Sequence, residues 1–388
     1  MLRPNIIGAA SVIGPGFPDS SLGAHPSAVV SPHIPGPRRT MDTLTRAPAD
    51  QARSLVGQRY RQADHYEVGR EKIREFARAL QDSHPAHHSE LAAAELGFEA
   101  LIAPATFATL PWIRTQDEVF STQLYEYDLG QVLQADQVLE FARPLMAGDI
   151  LTSDVYFQSF RQVRDLDLLT TKNVLTDRHG VPVQAGTTTL VARTGSVRSD
   201  LADMVDGIIM TGLGAGERQT HHARERLGTL LPVTGDAITV TPNGRRPHTA
   251  CTTGDLAPGD QLPSRTVRLT RGDLANFTGV TGDANPIHFS DDVARAAGLP
   301  SIVAHGMLTM GLGAGYLTEW LGDPAAVTKY GVRFSGTLPV ATDRPSTVEF
   351  GGTVKTVDHE QGTATIAVTA IGNGQKLFSR ASAVVALR

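Results

Sequence analysis

The two halves of this 388-residue chain repeat one another at an offset of 201 residues. The repeat aligns two helical patterns and the loop between them without a gap. Its matched pairs are Val68 with Leu269, Ile73 with Leu274, Phe76 with Phe277, Asp82 with Asp283, Pro85 with Pro286, His87 with His288, Gly97 with Gly298 and Ala103 with Ala304. We interpret this register as an internal duplication of one structural unit. Helical patterns precede strand-like patterns, which favours an α+β unit with an antiparallel sheet.

Apolar spacing predicts the individual elements of the repeat. Ile73, Phe76 and Leu80 recur at helical spacing, and Ser89 is placed to cap a short helix that ends at Gly97. The predicted helices are 70–80, 271–281 and 306–321, with a further apolar segment over 106–113. The predicted strands are 120–129, 137–142, 150–158, 168–175, 187–192 and 265–269, and the segment 177–180 suits a hairpin turn.

Composition divides the chain into four segments. Residues 1–48 are rich in Pro, Gly and Ser, so we expect a disordered extension or a stretch upstream of a true start at Met41. Residues 49–195 and 251–388 hold the two copies of the repeat, and we expect order to begin near Leu55. Residues 196–250 are polar and glycine-rich, which is typical of a linker.

Charge and cysteine content narrow the class of protein. A net charge of -5 and a pI near 6.2 argue against a nucleic-acid-binding protein. The single cysteine, Cys251, allows no intrachain disulfide, so we expect a reducing, cytoplasmic location. The sequence has no apolar run of 18 residues and no signal-peptide pattern, so we expect neither a membrane span nor secretion.

The segment 281–307, TGDANPIHFSDDVARAAGLPSIVAHGM, holds the candidate chemistry. Asp283 and His288 stand five residues apart, and Pro286 pushes Asn285 out of the helical region, so a turn follows the helix. We expect the chain to leave this turn extended through 287–289. Taken singly, Asp283 could cap that turn and His288 could lie at the surface. Together they form an acid/base pair, which can move protons near neutral pH.

The helix predicted over 306–321 begins directly after a second histidine, His305. Gly306 in the first turn offers a backbone N–H at the positive end of the helix dipole, which suits a negatively charged oxygen. Glycines within the helix, at 311, 313 and 315, indicate that something packs close to its backbone, either sheet strands or a thin ligand.

The motifs D-A-N-P-I-H and A-H-G-M-L-T-M resemble the MaoC-like (R)-specific hydratase/dehydratase family. Residues 259–388 look like the catalytic subunit of the actinobacterial (3R)-hydroxyacyl-ACP dehydratase, an enzyme of the type II fatty acid synthase that makes mycolic acids. Residues 55–195 look like its non-catalytic, substrate-binding partner subunit. The resemblance covers about 270 residues and identifies the chain as similar to a fusion of the two subunits.

The resemblance implies a double hot-dog fold, in which each half wraps an antiparallel sheet around a central helix and the halves pair side by side. It implies that Asp283, His288 and Asn285 form the catalytic group, and that Gly306 and His305 form the oxyanion site that binds the thioester, with the N–H of Gly306 on its carbonyl. It also implies an acyl-carrier-protein or CoA thioester as substrate, and neither a cofactor nor a metal ion. The halves form an internal pseudo-dimer; a homodimer of the whole chain is left open.

The N-terminal copy of the motif keeps Asp82 and His87 but changes the residues around them. His84 replaces Asn285, and Ala103-Pro104-Ala105 replaces Ala304-His305-Gly306. Pro104 lacks an N–H group, although Ala105 retains one. We therefore interpret this copy as a degenerate site that serves as an acyl tunnel, with a second active site as the alternative.

Other functions stay open at this point. An (R)-specific enoyl-CoA hydratase would run the same chemistry in reverse on another carrier, and a non-enzymatic protein would bind acyl thioesters without changing them. A thioesterase of the same fold is less favoured, because it would not need this loop. Use of acyl-carrier protein would call for basic residues at the tunnel mouth. The candidates are Arg59, Arg61, Arg143, Arg161 and Arg333.

Overall fold

A computed structural model describes residues 47–127, 132–193, 204–205, 208, 227–235 and 238–388. The extension expected over 1–48 therefore lies outside the described residues as far as position 46. Much of the linker expected over 196–250 also lies outside them. The first described helix is α1 (Pro48–Leu55), so order begins earlier than the sequence predicts.

The N-terminal half contributes three further helices and seven strands. The helices are α2 (Arg70–Ala79), α3 (Glu90–Glu95) and α4 (Thr109–Thr122). The strands are β1 (Gln58–Arg61), β2 (Tyr66–Glu67), β3 (Val132–Phe141), β4 (Ile150–Val163), β5 (Leu166–Thr176), β6 (Pro182–Arg193) and β7 (Thr229–Pro232). The short β7 comes from the segment expected to be a linker and pairs with β1.

The C-terminal half repeats the order of helices followed by strands. The helices are α5 (Arg271–Thr281), α6 (Asp291–Ala296) and α7 (Gly306–Leu321). The strands are β8 (Gln261–Leu269), β9 (Val327–Phe334), β10 (Ser346–Asp358), β11 (Thr363–Gly372), β12 (Gln375–Lys376) and β13 (Phe378–Ala386). Both α5 and α7 have the bounds that the sequence predicts.

The described strands form one antiparallel sheet that runs through both halves. Its main path is β7-β1-β4-β5-β6-β3-β9-β13-β11-β10-β8, with β2 and β12 attached to β4 and β11. The halves join where β3 pairs with β9, in a register that sets Leu139 opposite Tyr330. The expected side-by-side double hot dog is confirmed.

One predicted strand is wrong. The segment 120–129 begins inside α4, which extends to Thr122. Val119, Phe120 and Leu124, at the end of this helix and just after it, pack into a small core confined to the N-terminal half. A short window that starts at Phe120 leaves out the preceding turns of the helix, so the helical period is not seen.

The duplication places matched residues against each other. The rings of Phe76 and Phe277, which occupy the same position in the two copies, lie 6.3 Å apart where α2 packs on α5. The glycines of α7 allow close packing, as expected: a Cβ at Gly311 would lie 2.5 Å from Leu80 Cδ2 of the other half, and one at Gly313 would lie 2.5 Å from Tyr330 Oη. A larger core thus spans both halves.

Within the described residues, no helix is long and apolar enough to cross a membrane.

Candidate active site

Local sequence fixes the loop that carries the candidate pair. A reciprocal bond between Thr270 and Asp273 caps the start of α5, and Gly282 ends the helix with a left-handed φ of 80°. Asn285 Oδ1 then accepts a hydrogen bond from the N–H of Ile287 at 3.3 Å. The sequence predicts an extended exit through His288, and that detail is wrong: residues Pro286–His288 form one turn of 3₁₀ helix, which this Asn side chain and Pro286 initiate.

A hydrogen bond through one ring nitrogen holds His288 and leaves the other ring nitrogen available. Its Nδ1 donates to the carbonyl of Val303 at 2.8 Å, so in the neutral ring Nε2 is the basic atom. The side chain is only 8% exposed. Burial lowers the pKa of His288 below its ordinary value, although Asp283 and the bond to Val303 act in the opposite direction. The ring is therefore neutral at pH 7 and able to accept a proton.

Asp283 stands near this ring without forming an ion pair. The donor atoms of Asp283, His288 and His305 lie within 4.8 Å of one another, yet Asp283 and His288 do not approach within 4.0 Å. Asp283 Oδ1 accepts a hydrogen bond from the N–H of Asn285 at 3.3 Å, and the carboxylate is partly exposed. Both groups are thus available to a substrate between them.

Gly306 and His305, at the start of α7, differ in their exposure to solvent. Gly306 is the first helical residue and is exposed, with its position open to solvent apart from the ring of Phe334. The His305 side chain is 0% exposed and stacks on His288, with ring centroids 3.8 Å apart. A contact with the thioester therefore falls to the backbone N–H of Gly306 rather than to the ring of His305.

Three donor residues in one cluster raise the question of a metal ion. His305 Nε2 already bonds to Thr278 Oγ1 at 3.0 Å, and His288 Nδ1 bonds to Val303. The rings stack with an interplanar angle of 27°. These bonds leave His288 Nε2, His305 Nδ1 and the Asp283 carboxylate as the atoms that could contact an ion.

The structure adds a residue that sequence reasoning missed. Asp117 on α4 of the N-terminal half reaches the neighbourhood of Asp283. Although its side chain meets solvent, surrounding protein atoms and then the Asp283 charge raise the pKa of Asp117 to about 6. The repeat gives no signal for it, because the matched position in the second copy is Thr318.

The N-terminal copy of the motif is closed. His87 Nδ1 bonds to the carbonyl of Ile102 at 2.7 Å, as His288 does to Val303. Here, however, His87 Nε2 lies 3.5 Å from Asp82 Oδ2, and the two side chains are 0% and 8% exposed. A Cβ at Gly315 of α7 would lie 3.4 Å from that carboxylate oxygen, so the central helix of the other half covers the pair.

The helix entrance of this copy also differs. The position that matches Gly306 is Ala105, but α4 begins only at Thr109. Across the mouth of the pair, a hydrogen bond of 3.2 Å joins His84 Nε2 to the carbonyl of Gly322, at the end of α7. The N-terminal copy thus lacks both an open pair and a helix start aimed at it.

Most of the expected basic residues are already paired with carboxylates. Arg59 and Arg61 approach Asp154 at 3.6 and 2.7 Å. The remaining two ion pairs are Arg143 with Asp149 at 2.7 Å and Arg333 with Asp136 at 2.8 Å. Of the five candidates, Arg161 is exposed and stands outside these pairs.

An apolar cavity lies in the N-terminal half, between α4 and the sheet. Two small adjoining spaces, each with room for about one water molecule, share the side chains of Phe120, Leu124, Leu169 and Leu190. Gln116, the residue before Asp117 on α4, lines the larger space. The cavity and the Asp283 loop therefore adjoin neighbouring parts of the same helix.

Comparisons with known proteins match this architecture. Residues 54–185 match the family model described as "FAS1-like, dehydratase domain region", and residues 255–371 match the "MaoC like domain". A UPF0336 protein of Mycobacterium leprae (strain TN) is 44% identical over 142 residues, which cover 37% of this chain and 89% of that protein.

Solved structures match over most of the chain. A structure described as a MaoC-like dehydratase is 38% identical, covers 87% of this chain and 100% of its own, and superposes with a TM-score of 0.78. A conserved hypothetical protein from Mycobacterium tuberculosis, described as having a double hot-dog fold, is 14% identical with a TM-score of 0.55 over 86% of this chain and 96% of its own, which concerns the fold alone. The chain therefore belongs to the MaoC-like dehydratase family, a family of hydro-lyases, and has the double hot-dog fold.

Proposed function

We propose that the chain interconverts (3R)-3-hydroxyacyl and trans-2-enoyl thioesters of acyl-carrier protein, in fatty acid elongation of the mycolic acid type. One observation carries the proposal: the Asp283 carboxylate and the neutral His288 ring have donor atoms within 4.8 Å of each other without forming an ion pair, and they lie beside His305, the residue before the exposed helix start at Gly306. The role of each of these residues is part of the proposal.

The chemistry removes a proton from C2 and the hydroxyl group from C3, and together these leave as water. Loss of the C2 proton places negative charge on the thioester oxygen, which the N–H of Gly306 would stabilise. A donor aimed at such an oxygen contributes roughly 3–4 kcal/mol to the transition state. One of His288 and Asp283 takes the C2 proton, and that same proton is delivered to the departing hydroxyl group, by this residue or through the other, with Asn285 shaping the loop between them.

The apolar side chains between α4 and the sheet support a role for the N-terminal half in binding the acyl chain. The side chains that the two spaces share are aromatic or aliphatic, and an acyl chain would have to widen the space between them. On the same helix, the charge of Asp117 acts with that of Asp283. In this proposal the closed N-terminal pair has no place in turnover.

A second candidate is an (R)-specific enoyl-CoA hydratase of fatty acid degradation. The paired state of Arg59, Arg61, Arg143 and Arg333 favours it, because these side chains do not present free positive charge to an acidic carrier protein. Arg161 alone among the five stays outside such a pair.

The test compares carriers and chain lengths. We would give the purified protein crotonyl-CoA and a long-chain enoyl-ACP, and follow the loss of the conjugated thioester absorbance. Faster turnover of the long enoyl-ACP is expected. Equal or faster turnover of short CoA substrates would point to the hydratase instead, and binding of both substrates without turnover would point to an acyl-binding protein.

A further inference from the structure

A fully buried histidine lies directly beneath the candidate base. The rings of His305 and His288 stack with centroids 3.8 Å apart and an angle of 27°. On the other side, the ring of Phe277 lies 4.9 Å from His305. His305 is 0% exposed, so a substrate cannot contact its side chain.

Packing alone does not explain a histidine at this position. Its Nε2 bonds to Thr278 Oγ1 at 3.0 Å, while Nδ1 forms no hydrogen bond of good geometry among the described residues, although the backbone of Asp283 lies close to the ring. A buried polar atom without a partner costs about 1–3 kcal/mol, which an apolar ring of similar shape would avoid. A fixed, flat and polar ring here therefore calls for a function beyond filling space.

The environment keeps His305 neutral. Burial, and then the neighbouring His288, lower the pKa of His305 well below its ordinary value. The groups that face His288 are this ring, the Val303 carbonyl and the Asp283 carboxylate, and Asp117 of the N-terminal half acts on Asp283. A neutral plane against one face of His288 excludes water there without adding a positive charge.

We propose that His305 is a positioning residue, which clamps the ring of His288 so that its free Nε2 stays directed at the substrate. Two constraints define the ring of His288: the bond from Nδ1 to Val303 fixes its rotation, and the stacked face of His305 fixes its plane. Thr278, on α5, fixes His305 in turn. The role rests on the proposed dehydratase reaction, in which His288 moves a proton.

The N-terminal copy provides a natural comparison. The position that matches His305 is Pro104, which carries no ring that could stack in this way on His87. His87 keeps the bond from Nδ1 to a carbonyl, but its Nε2 faces Asp82 at 3.5 Å. The ring of His84 approaches His87 only in a tilted arrangement, with centroids 5.6 Å apart and an angle of 58°. Of the two matched histidines, His288 is thus the one that has a stacked ring against its face.

The test substitutes His305 and measures both turnover and the titration of the His288 ring. In His305→Phe a flat ring remains, so we expect the turnover number to stay within a few-fold of wild type. In His305→Ala the plane is lost, and we expect kcat to fall about 100-fold with little change in KM, since a displacement of about 1 Å can cost that much. NMR titration of the His288 ring without substrate should show its midpoint rise toward about 6.5 in His305→Ala only.

Controls separate positioning from stability. Leu317→Ala opens a comparable cavity about three turns further along α7, and we expect a lower melting temperature with unchanged kcat and an unchanged His288 midpoint. If His305→Ala behaves like Leu317→Ala, the proposal is wrong. If His305→Ala does not fold, Thr278→Val tests the same clamp from the other end: a lower kcat supports it, and a wild-type kcat and midpoint overturn it.

Failure of the proposed function gives a different result. The NMR midpoints report on the ring of His288 in the absence of substrate. Suppose the titration midpoint of His288 shifts in His305→Ala, but the protein turns over none of the thioesters. The positioning role of His305 would then be supported and the dehydratase reaction rejected.

Discussion

The two copies of the Asp/His loop differ less in their own residues than in what lies across them. In both, a histidine donates Nδ1 to a carbonyl fifteen residues further along the chain. In the N-terminal copy the pair closes at 3.5 Å under α7, whereas in the C-terminal copy it stays apart and reaches solvent. The N-terminal copy therefore keeps the Asp and His residues but not an arrangement that a substrate can reach.

The central helices explain this difference. The glycines of α7 at positions 311, 313 and 315 let its backbone approach the N-terminal loop, with Gly315 against Asp82. The matched positions in α4 carry Leu110, Trp112 and Arg114, which do not permit so close an approach. We infer that the glycines close one copy and the bulky side chains leave the other open.

The largest difference between the two copies is expected when the matched histidine is removed from each. His288→Ala should lower kcat by about 10²–10⁴-fold, because it removes a proton-transfer group. The matched variant His87→Ala should keep kcat within about three-fold of wild type. Steady-state kinetics of both decide it: turnover that persists in His288→Ala and disappears in the double variant would place a working site in the N-terminal half.

The helix entrance can be tested next, with a pair of substitutions at one position. Gly306→Pro removes the N–H at the first helical position, where proline fits, and should lower kcat about 10²–10³-fold. Gly306→Ala keeps the N–H, and its Cβ would meet Phe334 at an ordinary 3.4 Å, so it should remain close to wild type. Equal activity of both variants would remove Gly306 from the mechanism.

His87 should matter for stability even though it does not matter for turnover. Its removal takes away one neighbour of the buried Asp82 carboxylate, which still accepts a hydrogen bond from the N–H of His84 at 3.0 Å, so we expect a loss of about 1–3 kcal/mol of unfolding free energy. Urea unfolding of His87→Ala measures the loss, and Asp82→Asn combined with His87→Ala should recover part of it. A variant as stable as wild type would mean that water or another group already satisfies Asp82.

Effects of the same size or smaller should follow from the glycines of α7. In Gly311→Ala the new Cβ would lie 2.5 Å from Leu80 Cδ2, so the buried Leu80 side chain must repack, and about 1–3 kcal/mol of stability should be lost. In Gly315→Ala the new contact is 3.4 Å, and the gain of up to about 1 kcal/mol in helix propensity should offset it. Thermal unfolding of the two variants would contradict the packing argument if their order were reversed.

The smallest expected effect is a pH dependence of the unfolding free energy. It has two pH ranges, or windows: the first depends on histidines and the second, more acidic one depends on Asp82. The folded protein lowers the pKa values of His288 and His305, so below about pH 6.5 the unfolded chain binds more protons and stability falls as pH falls. Asp82 also has a lowered pKa, so its contribution is present above about pH 4 and is lost in more acidic solution. Urea unfolding at pH 7.5 and 5.5 should show the first window, and His305→Phe should reduce it.

Much of the fold could be predicted, because it depends on residues close in sequence. The bounds of α5 follow from the Thr270 cap and from Gly282, and the bounds of α7 follow from Gly306 and the apolar residues behind it. The strand predicted over 120–129 failed because Phe120 and Leu124 face a core whose partners lie on distant strands. No local pattern shows which surface an apolar residue will meet.

The sequence by itself determined the repeated frame: two helices, an Asp-to-His turn and a central helix in each half, all specified by caps, glycines and prolines that act over a few residues. Only the tertiary structure decided that Asp82 touches His87, that Asp283 stays clear of His288, that His305 lies under His288 and that Asp117 joins the site. The physical reason is that each site lies where two halves meet. Its shape therefore depends on how closely the helix of the opposite half can approach.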